Sequence, residues 1–118
     1  MTGKDDHAAI EAAVLDYFEG WFDGDVERMR RALHPGLAKR TLRPTGLDNF
    51  TAEQMIGWTG EGRGREFDVP DRAIEIEIAD VDDGIASVVV HSAVYVEYVH
   101  LVRVDDGWKI VNALWRRV

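Results

Sequence analysis

Hydrophobic and polar positions divide the chain into a helical half and a β half. Ile10, Val14, Tyr17, Phe18 and Trp21 recur at three- and four-residue steps, one stripe of a 3.6-residue period, and predict a helix from about Asp6 to Phe22. Asp5 or Asp6 is placed to cap its start, and Gly24 to end it in the left-handed conformation. Asp25 then caps a short helix, Val26 to Leu33, with Val26, Met29 and Leu33 on one face, and His34-Pro35-Gly36 stops it. A loop or short strand is expected from Leu37 to Asn49. Thr51-Ala52-Glu53-Gln54 has the spacing of a capping box and opens a third helix with Met55, Ile56 and Trp58 on its apolar side. Gly57, Gly60, Gly62 and Gly64 dissolve it into a loop ending at Pro70, a candidate lid over a pocket.

From Asp71 the period changes to two. Ile74, Ile76 and Ile78 alternate with Ala73, Glu75 and Glu77, a strand with one buried and one wet face. "DDG" occurs at 82–84 and again at 105–107, and each predicts a tight turn. The strands expected between and after them are Ile85–Val94, Glu97–Val104 and Trp108–Arg116. Helices first and an antiparallel meander afterwards make an α+β layer fold, a curved sheet wrapping the N-terminal helix. The last two strands are apolar on both faces, and the helices cover one. The expected cover for the other is a second copy of the chain, so a homodimer through the sheet is predicted.

Composition narrows the function classes. The 118 residues suit one domain, and 46% hydrophobic with 31% charged residues is a globular balance. No apolar run reaches the roughly 20 residues that span a bilayer, so no membrane partner is expected. A net charge of −8 lacks the basic footprint of a nucleic-acid surface. There is no cysteine, which removes thiol nucleophiles and thiolate metal sites. With a polar, acidic start at Met1–Asp6 and no hydrophobic signal stretch, the expected location is the cytoplasm.

Three pieces carry a family resemblance: "DYFEGWFDGD" in helix 1, "LHP" after helix 2 and the terminal "DGWKIVN". In this order and spacing they resemble the NTF2-like superfamily, and within it the SnoaL-like and putative lumazine-binding group. The resemblance covers nearly the whole chain. It implies an α+β cone of the cystatin-like type, a deep pocket between sheet and helices, and a dimer packed through the sheet. The superfamily holds isomerases, dehydratases, cyclases and pure binding modules, so the fold alone does not select a reaction.

The candidate chemistry is spread over both halves. His34 beside Pro35 is a general base at the pocket mouth or a helix C-cap. Glu97 and Tyr98 match an acidic-Tyr position in the resemblance where aspartate is the commoner acid. A buried carboxyl there would have a raised pKa suited to acid–base work, whereas at a strand end it would simply face water. A tight turn at Tyr95-Val96 would set His91 opposite His100, on one face, as a pair sharing a proton or water. No third ligand joins them, and no metal or cofactor is expected. Asn112 in mid-strand needs a hydrogen-bond partner, in a ligand or a twin subunit. Tyr17, Trp21, Trp58 and Trp115 supply aromatic surface, either pocket wall or core. Lys39, Arg40 and Arg43 can hold an anion at the rim or form a wet loop. Three readings follow: a module binding a small organic molecule, an acid–base enzyme of isomerase or dehydratase type in the same pocket, and an interaction module whose cone is filled by its own side chains.

Overall fold

The structure, a computed structural model, describes residues 4–67 and 71–118. The element order is α1 (Lys4–Asp23), α2 (Val26–Ala32), β1 (Leu33–Arg43), β2 (Gly46–Phe50), α3 (Ala52–Gly60), a 3-10 turn (Arg63–Phe67), β3 (Glu75–Asp82), β4 (Ile85–His91), β5 (Tyr95–Val104) and β6 (Gly107–Arg117). One six-stranded sheet has the order β2-β1-β6-β5-β4-β3. Its pairs are antiparallel except β1 with β6, which run parallel.

The helical stripe does what its period requires. Ile10, Val14, Tyr17, Phe18 and Phe22 are buried against the inner face of the sheet, where Val88, Val90, Val99, Leu101 and Ile110 meet them. Gly24 ends α1 at φ +70°, and the Asp25 carboxylate accepts the Arg28 backbone N–H at 3.2 Å to start α2. Both reciprocal bonds of the Thr51–Gln54 capping box form. In the β3–β4 turn Asp83 and Gly84 both take positive φ, 42° and 89°, the pairing that a two-residue hairpin of the right twist needs.

Four expectations are corrected. Helix 1 begins at Lys4, so Asp6 lies within its first turn. Its buried carboxylate accepts from the Trp108 indole and Arg103, both at 3.3 Å, and so ties α1 to the hairpin of β5 and β6. The stretch after α2 is no loop. β1 starts at Leu33, directly after the helix, and Pro35 and Gly36 fall at an irregularity in its pairing with β6, where a missing N–H does no harm. The sheet is therefore not a simple meander, since β1 crosses to lie parallel beside the last strand. Finally, the β4–β5 turn spans Ser92 to Tyr95, because the Ser92 hydroxyl accepts from the Tyr95 N–H at 3.0 Å. That fixes Ser87 opposite His100 and His91 opposite Val96, so His91 and His100 do not face each other.

Candidate active site: a cationic, aromatic cavity above a buried Lys–Tyr–Glu chain

Strand alternation decides what the cone contains. On β1 the inward positions include Leu37, Lys39 and Thr41, and on β5 they are Tyr95, Glu97, Val99 and Leu101. The sequence thus places one lysine and one glutamate inside an apolar layer. Tyr17 of α1 comes down between them. Its hydroxyl donates to Glu97 Oε1 at 2.9 Å and accepts a hydrogen bond from Lys39 Nζ, and Lys39 Nζ lies 3.9 Å from Glu97 Oε2. The residues are 2%, 2% and 7% exposed for Tyr17, Glu97 and Lys39, so water does little to screen them.

Burial pushes the Glu97 carboxyl up, against the opposing pull of Lys39 and the Tyr17 hydrogen bond. Burial likewise pushes the Lys39 amine down, against the attraction of Glu97. The Tyr17 phenol is pushed well up, first by burial and then by the Glu97 charge, so it stays protonated as the link. The carboxyl and the amine are displaced toward each other, which makes the chain a short path for a proton.

Above this chain the sheet and helices leave a cavity of about 610 Å³. Lys39 is in its wall, with Trp21, Phe50, Trp58, Tyr95 and Trp115. Lys39 Nζ stands 4.9 Å from the centre of the Tyr17 ring and 5.2 Å from that of Trp115. The aromatic residues brace one another: Trp58 meets Phe50 edge-on at 5.1 Å, Tyr95 meets Trp115 edge-on at 5.5 Å, and the Trp21 indole donates to the Tyr95 hydroxyl at 3.1 Å. Burial, opposed by that hydrogen bond, raises the Tyr95 phenol to about 12. Lys39 aside, the charged side chains in the wall are Arg43, Arg63, Arg116 and Arg117 against Asp48 and Glu66, a positive mouth on a chain of net −8. A cavity of this size means the cone is not filled by its own side chains.

Of the residues singled out in the sequence, Trp21, Lys39, Trp58, Trp115 and Arg43 meet at the cavity, and Tyr17 and Glu97 lie behind Lys39. The others do not. Tyr98 is on the opposite face of β5 from Glu97 and 54% exposed, so the two cannot serve one pocket. His100 and Asn112 pair across β5 and β6 on that outer face, 3.4 Å apart, in the wall of a second pocket of about 430 Å³. His91 is exposed at the end of β4. His34 lies in β1, not at a helix end, where its Nδ1 accepts the Gly36 N–H at 2.9 Å, and Arg40 points outward. Among the described residues no group of three His, Cys, Asp or Glu could hold a metal ion.

Of the other wall residues, Phe50, Met55, Tyr95 and Glu66 are not among the candidates read from the sequence. Alternation on β5 places Tyr95 on the same face as Glu97, a signal present once the register is known. Arg63 is held at the mouth by stacking on Trp58 at 4.9 Å.

The family described as "Putative lumazine-binding" matches residues 5–116. The chain belongs to this family. Its fold is that of NTF2-like, cystatin-like proteins. An NTF2-like protein of unknown function from Silicibacter pomeroyi is 17% identical over 100% of both chains, with a TM-score of 0.79. A domain of unknown function with a cystatin-like fold from Nostoc punctiforme is 19% identical over 99% of this chain and 80% of that one, with a TM-score of 0.68. A ketosteroid isomerase-like protein from Erwinia carotovora atroseptica is 17% identical over 98% of both chains, with a TM-score of 0.66. At these identities the likeness shows the fold. No curated protein matches the chain.

Proposed function

We propose that the cavity binds a small planar organic molecule carrying an anionic group. The observation that carries this reading is the combination of five aromatic side chains and a net cationic mouth around about 610 Å³, a volume inside the roughly 300–1,000 Å³ usual for ligand sites. The rings offer stacking surface, and the arginines offer planar donors matched to a carboxylate. A fused heterocycle of the kind named in the family's description would meet the same walls. Calorimetric titration with 2-naphthoate and with the uncharged 2-naphthylmethanol tests it. The naphthoate should bind one per chain and more tightly than the alcohol, and Trp58→Ala should weaken it about tenfold, the loss of one stacked ring. Equal, non-saturating heats for both compounds would rule the reading out.

A second reading has its own support. Glu97, raised by burial and linked through Tyr17 to Lys39, is equipped for proton transfer of an isomerase or dehydratase kind. It predicts that Glu97→Gln removes turnover while ligand affinity is kept.

The dimer belongs to the same proposal. Tyr98 and Leu114 pair across β5 and β6 and are 54% and 51% exposed on the outer face, with Ile85 60% exposed at the far end of β4, apolar side chains that a second copy would cover. Among the described residues no helix is long and apolar enough to cross a membrane. A cytoplasmic location remains the expectation for this cysteine-free chain, and cell fractionation checks it.

A further inference from the structure

We propose that Lys39 is a nucleophile that forms a reversible imine with an aromatic aldehyde or ketone held in the cavity. The inference rests on the binding reading above and names a reactive class of ligand for the same site. The chain has three lysines, Lys4, Lys39 and Lys109. Lys109, with a side chain 12% exposed, lies outside the cavity wall: its amine donates to the Arg31 carbonyl at 2.7 Å and lies 3.5 Å from the exposed Asp106. Lys39 is different in three geometric respects. It is part of the cavity wall, its amine stands 5.2 Å from the centre of the Trp115 ring, and its nearest carboxylate oxygen is 3.9 Å away, with the Tyr17 hydroxyl bonded to both groups. A lysine whose task was only to neutralise Glu97 would contact it directly. This one donates to a phenol oxygen, which stands between it and the carboxylate.

The same burial favours the uncharged amine, the form that attacks carbonyls. The steps balance without an oxidant or reductant. The nitrogen lone pair adds to the carbonyl carbon, the C=O π pair moves to oxygen, and one proton passes from nitrogen to that oxygen, giving a carbinolamine. The remaining N–H proton and the hydroxyl then leave as water while C=N forms. One amine and one carbonyl become one imine and one water. Tyr17, which accepts from Lys39 and donates to Glu97, is placed to pass protons during both steps, with the buried carboxyl as their store.

The test uses 4-formylbenzoate, which joins an aldehyde to the anionic ring of the binding proposal, with cyanoborohydride to trap the imine as a stable amine. Intact mass and peptide mapping locate the adduct. The expected result is one adduct per chain, on Lys39, formed at least about tenfold faster than on Lys109, because the cavity holds the aldehyde beside the Lys39 amine. Lys39→Arg, checked for folding by circular dichroism, should abolish it. Should that variant fail to fold, selectivity among the three lysines of the native chain still decides. Adducts on Lys4 and Lys109 with Lys39 unmodified, while 2-naphthoate binds one per chain, would overturn the inference and leave the binding reading standing. Failure of both 2-naphthoate and the aldehyde to bind would overturn both.

Discussion

On β5 the side chains alternate between faces, so Glu97 enters the core beside Tyr17 while its neighbour Tyr98 leaves it for the outer surface. The sequence shows a carboxylate and a phenol adjacent; the pleat separates them, and the phenol that serves Glu97 comes from 80 residues away. Long-range pairing of this kind leaves no local spacing to read. The aromatic residues were more legible, because Trp21 and Trp58 sit on helices whose periods are plain, although the rings that brace them come from β2, β5 and β6. Asp16 offers a residue-scale prediction. Burial raises its carboxyl, but hydrogen bonds from Arg31 and Arg28, at 2.9 Å each, outweigh this and hold it below its usual 3.8. A lowered folded pKa stabilises fully above the unfolded value and is lost as pH falls through the folded one. Asp16→Asn should therefore cost about 1 kcal/mol in urea denaturation at pH 7, with the gap to wild type closing below pH 3.8.

The starts of α2 and α3 were legible from their caps, since those signals are local, whereas α3 runs on through Gly57 to Gly60, where the glycines had been read as ending it. The β1 strand was not. Its Pro35 and Gly36 are strong breakers in isolation, and only the parallel pairing with β6, set by tertiary contact, absorbs them. The same physics governs the 3-10 turn at the cavity mouth. The glycines there were legible as loop, but Gly64 is present for a packing reason: a methyl group at its Cα would come within 2.0 Å of the Trp21 carbonyl oxygen. Gly64→Ala must push the turn off α1, and with it Arg63 and Glu66 at the mouth. A loss of about 1–3 kcal/mol is expected from denaturant unfolding, together with weaker naphthoate binding by calorimetry. Unchanged affinity in a folded variant would show that the turn does not shape the site.

For the molecule as a whole, two faces of one sheet are asked to do different things. The inner face closes over helices and cavity. The outer face carries Ile85, Tyr98 and Leu114 in the open, and the proposed dimer gives those residues a use. Leu114→Asp, at an exposed position that leaves the core alone, should convert a species of twice the chain mass into one of 13.3 kDa by light scattering. A wild type already at the monomer mass would refute the dimer. The basic clusters, Lys39, Arg40 and Arg43 among them, were legible in the sequence beside the total of −8. That the cations gather at the mouth follows from the register of β1 with β6, which no composition reveals.

The central claim is that the cavity, and not the outer face, is where this chain meets a small molecule. Its most direct test is an amide and indole N–H correlation spectrum recorded during a naphthoate titration. Trp21, Trp58 and Trp115 are in the cavity wall, whereas Trp108 is bonded to Asp6 away from it, and the Asn112 side chain lies on the outer face. Saturable shifts of the first three indole resonances are expected, with Trp108 and Asn112 still. Shifts confined to Trp108 or Asn112, or no saturable shift at all, would contradict it.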